Sequence, residues 1–152
     1  MSLFDLTGHV AIITGGNGGI GLGMALGLAK AGASLAIVGR NSDKNKIAIE
    51  KLQGMGATAI AIEKDITEEL AGTDVVTKVE DRFGRIDILI NNAGNNIPEH
   101  FTKVKKENME YLVELNMKAA FNIAQICSQK MLKLKIIYFK ESQKDLLHLL
   151  ED

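Results

Sequence analysis

The sequence predicts an α/β fold, a parallel sheet with helices packed on its faces. Three observations carry this. Short apolar, β-branched runs alternate with helical stretches without exception. Those runs are apolar at nearly every position, as strands buried on both faces require. The first run ends in glycines that open straight into a helix. A length of 152 residues supports one domain and one sizeable core.

The elements follow in order. His9 to Thr14 (HVAIIT) reads as the first strand. Gly19 to Ala31 reads as a helix with Ile20, Met24, Leu26, Leu28 and Ala29 apolar, and Gly32 just past its end. Ser34 to Val38 (SLAIV) is the second strand. Asn41 or Ser42 caps a helix to about Met55, with Ile47, Ile49 and Leu52 apolar and Gly54 and Gly56 marking its end. Thr58 to Ile62 (TAIAI) is the third strand. Thr67 is expected to cap a polar helix to about Phe83, stopped by Gly84. Ile86 to Ile90 (IDILI) is the fourth strand, closed by Asn91-Asn92-Ala93-Gly94. A loop with the only proline, Pro98, leads to a long helix from about Lys105 to Leu132. Lys135 to Phe139 (KIIYF) reads as a fifth strand. The tail, Glu141 to Asp152, is at best a short amphipathic helix with Leu146, Leu147, Leu149 and Leu150 clustered. Neither a repeat nor a linker divides the chain.

Composition excludes several classes of function. A net charge of -1 argues against a partner held by bulk positive charge, whether nucleic acid or acidic membrane. One cysteine rules out an internal disulfide and points to a reducing compartment, here the cytoplasm. No apolar run is long enough to span a bilayer. Met1 to Gly8 lacks a basic region followed by an apolar stretch, so no signal peptide is visible. His9, His100 and His148 show no paired ligand spacing, and no metal cluster is expected. Cys127 reads as a buried, inert thiol. Lys103, Lys105 and Lys106 read as a solvated helix start.

The chemistry begins at the first turn. Seven of the 15 glycines fall between Gly15 and Gly27. The turn reads Thr14-Gly15-Gly16-Asn17-Gly18-Gly19-Ile20-Gly21. Glycines permit positive φ and let a backbone approach a pyrophosphate with no Cβ in the way. The free N–H groups of the helix start then face the anion. A strand directly before and a helix directly after are what the dinucleotide fingerprint needs. Gly19, Gly23 and Gly27 recur every fourth residue, and the sequence leads us to expect close packing of that stripe on the sheet.

Two motifs together resemble one family. Thr14-Gly15-x-x-x-Gly19-Ile20-Gly21 with Asn91-Asn92-Ala93-Gly94 is similar to the short-chain dehydrogenases/reductases. Asp65-Ile66 matches the family's adenine-side position, and Asn116, in ELNMKAAF, its catalytic Asn. The resemblance covers about residues 3–137. Its N-terminal stretch resembles the sugar-acid dehydrogenases of the 2-deoxygluconate 3-dehydrogenase and gluconate 5-dehydrogenase kind, through FDLTGHVAIITGGNGGIGLGMALGLAKAGA, VGRN and FGRIDILINNAG.

The resemblance implies a Rossmann-type doubly wound parallel sheet of strand order 3-2-1-4-5. It implies NAD(P)(H) as cofactor and hydride transfer to or from a small-molecule hydroxyl or carbonyl. Gly15, Asn17, Gly19, Ile20 and Gly21 would hold the pyrophosphate. Asp65 and Ile66 would flank the adenine. Asn92, Ala93 and Gly94 would line the nicotinamide-ribose side, with Asn91 tying the fourth strand to its neighbours. Asn116 would hold a water in the proton relay.

Cofactor choice rests on Gly39-Arg40-Asn41. An acid there would bind a ribose 2′-OH; Arg40 could instead pair with a 2′-phosphate. This leans slightly toward NADP(H). Gly18 stands where many NADP-binding relatives carry a basic residue, and NAD users share similar Val-Gly-Arg-Asn stretches, so NAD(H) stays open.

The match stops after Ile137. The family uses a Ser and a Tyr-x-x-x-Lys, whose lysine lowers a tyrosine pKa from ~10. Here Leu115 lies four residues after Tyr111, and Ser142 four after Tyr138. The expectation is a chain truncated relative to the family. Residues 1–139 would form the dinucleotide-binding domain and 140–152 a divergent tail. It would be inactive alone and prone to self-association through helix 105–132. The alternative is a non-enzymatic dinucleotide-binding or subunit-interaction module.

Overall fold

The computed structural model describes residues 4–133. β1 (Val10–Thr14), β2 (Ser34–Gly39), β3 (Ala59–Glu63) and β4 (Ile88–Asn91) form one parallel sheet. Its order is β3-β2-β1-β4. Thr14 lies in register with Val38 of β2 on one side and Asn91 of β4 on the other. The expected fifth strand at 135–139 and the tail lie outside the described residues.

Every residue of β1 is buried, as are the four central residues of β2. Val10 and Ile12 join Val38, Ile62, Val75, Val79 and Ile123 on one face. Ala11 and Ile13 join Ala25, Leu35, Ile37 and Leu52 on the other. Burial on both faces is thus confined to the two central strands. β3 and β4, each with one strand neighbour among the described residues, are only partly covered.

α1 (Gly19–Lys30) and α2 (Ser42–Gly54) cover one face; α3 (Ala71–Phe83) and the helix beginning as α4 (Lys106–Val113) cover the other. Asn41, not Ser42, caps α2: its Oδ1 accepts the Lys44 N–H at 2.8 Å. Gly32 (φ +95°) and Gly84 (φ +75°) adopt the left-handed conformation that closes α1 and α3.

Thr67 does not cap α3, which starts four residues later at Ala71. Asp65 Oδ1 instead accepts both the Thr67 N–H, at 2.9 Å, and its hydroxyl, at 2.7 Å. That local turn outcompetes a helix start. The long helix begins at Lys106 and is not regular. Over Glu114–Ala119 it widens into a π turn, then runs helical through residue 133. The glycine stripe does not pack on the sheet. Gly19, Gly23 and Gly27 face outward, and a Cβ on any of them would meet nothing within 4 Å. Gly21 and Ala25 form the face of α1 that packs inward.

The far end of the sheet is held by charge. Asp87 Oδ2 accepts the Val10 N–H at 2.8 Å, and both carboxylate oxygens accept from Arg85. Burial pushes the Asp87 pKa up, but the Arg85 and Val10 hydrogen bonds outweigh it and hold the group below the ordinary range.

Candidate functional site

The site lies at the carboxyl ends of the strands, beside the β1–β4 junction where the topology changes direction. The buried Thr14 organises that junction. Its hydroxyl accepts the N–H groups of Asn92 and Ala93, each at 3.1 Å, and donates to Ile90 O at 3.4 Å. Asn92 reaches back, its Nδ2 donating to Thr14 O and Gly15 O at 3.1 Å each. The first-strand turn and the Asn91–Gly94 segment therefore form one unit.

Gly15 and Gly21 leave no room for a side chain at this junction. Gly15 has φ +64°, and a Cβ on it would lie 3.0 Å from Ala93 Cα. A Cβ on Gly21 would fall on Asn92 Nδ2 and Gly15 O. At Gly18 and Gly19 the backbone faces open space. The N–H groups of Gly19 to Gly21 precede the first helical hydrogen bond, Leu22 N–H to Gly18 O, so the helix itself does not use them. Bare backbone and unspent donors suit a pyrophosphate.

A crevice of about 220 Å³ runs from this loop to the ends of β2 and β3. Gly15, Asn17, Ala93 and Gly94 line one end; Arg40, Lys44, Asp65 and Ile66 line the other. Asn17 Nδ2 donates to Asn45 Oδ1 at 2.7 Å, and Asn45 Nδ2 donates to Gly39 O at 2.8 Å. This buried Asn45 bridge, 2% exposed, fixes the loop relative to β2. Arg40 pairs with Asp65 at 3.2 Å. Burial raises the Asp65 pKa, but hydrogen bonds from Thr67 and the Arg40 guanidinium win and lower it. The hydrogen bond to the Asp65 carboxylate raises the Arg40 pKa.

Asn116 sits in the π turn, opposite the Asn91–Gly94 segment. Its Oδ1 accepts the Asn95 N–H at 3.0 Å, and its Nδ2 donates to Asn95 O at 2.9 Å. Asn116 therefore clamps the loop that carries Gly94. Next to it a groove of about 380 Å³ is lined by Ile97, Val104, Met109, Leu112 and Val113.

The structure brings together Gly15, Asn17, Arg40, Asp65, Ile66, Ala93 and Gly94 in one crevice. Gly21 and Asn92 lie beneath it as supports. Gly19 and Ile20 are exposed at the helix start and do not line it. Asn91, in register with Thr14 of β1, also ties β4 to the long helix, its Nδ2 donating to Ala120 O at 3.0 Å. The sequence motifs include Thr14 without a role for it, and they do not mark Lys44 or Asn45 as site residues. Asn45 carries a signal, a polar residue on the inward face of an amphipathic helix; Lys44 carries none. His100 is exposed and shares a 2.8 Å hydrogen bond with Thr102. Cys127 is buried, which pushes its thiol up to about 11 and keeps it unreactive. Among the described residues no group of three or more His, Cys, Asp or Glu could hold a metal, and no helix is long and apolar enough to cross a membrane.

The family model for short chain dehydrogenases matches residues 9–136. This chain belongs to the short-chain dehydrogenase family. Within it, the chain is 35% identical over 133 residues to 2-dehydro-3-deoxy-D-gluconate 5-dehydrogenase of Dickeya dadantii, covering 88% of this chain and 52% of that one. It is 35% identical over 130 residues to gluconate 5-dehydrogenase of Gluconobacter oxydans, covering 86% and 51%. The short-chain dehydrogenase thus spans about half the length of the curated relatives it matches. A solved NAD+-bound xylitol dehydrogenase superposes with a TM-score of 0.82 at 29% identity, covering 85% of this chain and 50% of that one. L-sorbose reductase of Gluconobacter frateurii, complexed with NADPH and L-sorbose, gives 0.80 at 33% identity, covering 84% and 49%. Both nicotinamide dinucleotides thus occur among structural relatives of this short-chain dehydrogenase.

Proposed function

We propose that this chain carries the dinucleotide-binding part of an NAD(P)(H)-dependent oxidoreductase acting on a hydroxyl or carbonyl group of a sugar acid. The single observation behind this is the continuity of the glycine turn with the Arg40–Asp65 crevice. Bound there, the cofactor would supply or accept a hydride. Gly15, Asn17, Gly19, Ile20 and Gly21 would hold its pyrophosphate through bare backbone and unspent N–H groups. Arg40, Asp65 and Ile66 would take the adenosine end, and Asn92, Ala93 and Gly94 the nicotinamide-ribose side. Cofactor choice leans slightly to NADP(H). The family match ends at residue 136, which supports 1–139 as the binding domain and 140–152 as a separate tail. The single cysteine favours a reducing, cytoplasmic setting.

Asn116 positions the Asn95 loop. Any water it held would use the second lone pair of Oδ1 or the second N–H of Nδ2. Neither tyrosine of this chain is followed four residues later by Lys, so the family's Tyr-x-x-x-Lys acid/base pair is not among these residues. Losing general acid–base catalysis reduces turnover by ~10²–10⁴-fold, and this chain alone is inactive on that reading. Titrating it with NADP+ and NAD+ against a Gly21→Asp variant tests binding. Saturable binding lost in the variant supports the reading; binding to neither dinucleotide overturns it. Gluconate oxidation by this chain well above that variant's would overturn the inactivity.

A second reading, an interaction module, is favoured by one observation. Met109, Val113, Met117 and Phe121 form an exposed apolar stripe along residues 105–132. Self-association through it would vanish in Met117→Lys. A wild-type monomer at all concentrations in sedimentation would count against it.

A further inference from the structure

Three cations line the crevice: Arg40, Lys44 and Lys64. Two are neutralised. Arg40 is paired to Asp65 at 3.2 Å. Lys64 lies 2.6 Å from Glu68 and 2.7 Å from Asp74. Lys44 makes no ion pair among the described residues. Its backbone is fixed in the first turn of α2 by the Asn41 cap, while its side chain is exposed toward the crevice it lines.

This arrangement changes how a phosphate at the adenosine end would be recognised. A dianion approaching Arg40 also approaches the Asp65 carboxylate bonded to it, which repels it. Asp65 cannot turn away without giving up its two hydrogen bonds from Thr67. An unpaired ammonium on the same wall carries no such penalty.

We propose that Lys44, rather than Arg40 alone, is the residue by which this chain distinguishes a 2′-phosphorylated dinucleotide from an unphosphorylated one. The proposal rests on the crevice being a dinucleotide site. In it, the Lys44 ammonium donates to the 2′-phosphate, and Arg40 stays tied to Asp65 at the crevice edge. NAD(H), with a 2′-hydroxyl, makes no use of Lys44.

The test is equilibrium titration of the full chain with NADP+ and NAD+, with 2′,5′-ADP and 5′-ADP as fragment probes. Lys44→Gln should weaken NADP+ and 2′,5′-ADP about tenfold, as expected for one charge-assisted contact, and leave NAD+ and 5′-ADP within about twofold. Lys44→Arg should restore the preference. Lys51→Gln, which removes the same charge from the far end of α2, should leave it unchanged. Circular dichroism checks that each variant folds; the substituted side chains are exposed. Both dinucleotides binding with an unmoved ratio in Lys44→Gln would overturn the proposal and leave the site reading standing. An equal loss in Lys51→Gln would overturn it too, showing a long-range charge effect. Binding of neither dinucleotide to the wild type would overturn the site reading and this proposal with it.

Discussion

Gly21 and Gly23 stand two residues apart on α1 in opposite surroundings. A Cβ on Gly21 would strike Asn92 Nδ2 and Gly15 O, whereas on Gly23, as on Gly27, it would meet nothing within 4 Å. One glycine is needed because two backbone segments meet there. The others lie on an outer face whose described surroundings require no glycine. Enrichment in a residue type is therefore not one signal. At the β1–β4 junction it marks close approach; along the outer face of α1 it marks only lost helix propensity.

The largest expected effect tests the junction itself. Thr14→Val keeps the shape but leaves the Asn92 and Ala93 N–H groups without an acceptor in a buried site. It should destabilise the chain by about 2–4 kcal/mol, read by urea unfolding. A loss under about 0.5 kcal/mol would mean another acceptor steps in.

Gly21→Ala breaks the comparison from its other side. Overpacking against Asn92 and the Gly15 carbonyl should cost about 1–3 kcal/mol. Dinucleotide binding should weaken in the same variant, because the turn must shift to admit the methyl.

The opposite end of the β1–β4 pair offers a charged counterpart to Thr14. Asp87→Asn should lose about 1–2 kcal/mol at neutral pH, through weaker bonds to Arg85 and Val10. The folded-state pKa of Asp87 is depressed below 3.8, its ordinary value. Its contribution is therefore complete above that pH and lost as pH falls through the folded value. The gap between wild type and Asp87→Asn in denaturant midpoint should close below about pH 3.8. A gap that persists in acid would show that shape, not charge, carries the contact.

The smallest effect has the opposite sign. Gly23→Ala and Gly27→Ala should each stabilise α1 by up to about 1 kcal/mol. Destabilisation, seen as a lower thermal midpoint, would show that this outer face is in fact closely packed against something.

Much of the fold was legible. The four described strands matched their apolar runs to within two residues, because burial on a sheet needs contiguous β-branched side chains. Gly32 and Gly84 were readable as helix ends because only glycine takes a left-handed φ without penalty. Thr67 misled because a hydroxyl before a helical stretch has two partners to choose from, and Asp65 was closer. The widening at Glu114–Ala119 left no mark in the apolar periodicity, since Leu115, Ala119 and Ile123 stay buried through it. In the site, Gly15, Asp65 and Gly94 were found by motif. Asn45 and Lys44 were not, because their value lies in what stands opposite them.

The sequence by itself determined the alternation of strand and helix, the glycine turn and the family. These are local properties, set by side-chain size, β-branching and the missing Cβ. The tertiary structure decided which glycines are necessary and which cation is unspent. It also placed Asn116 against Asn95 rather than leaving it in solvent. Those facts depend on distances between residues 20 or more positions apart, such as Arg40 and Asp65 or Thr14 and Asn92. Packing sets such distances, and no single stretch of chain encodes them.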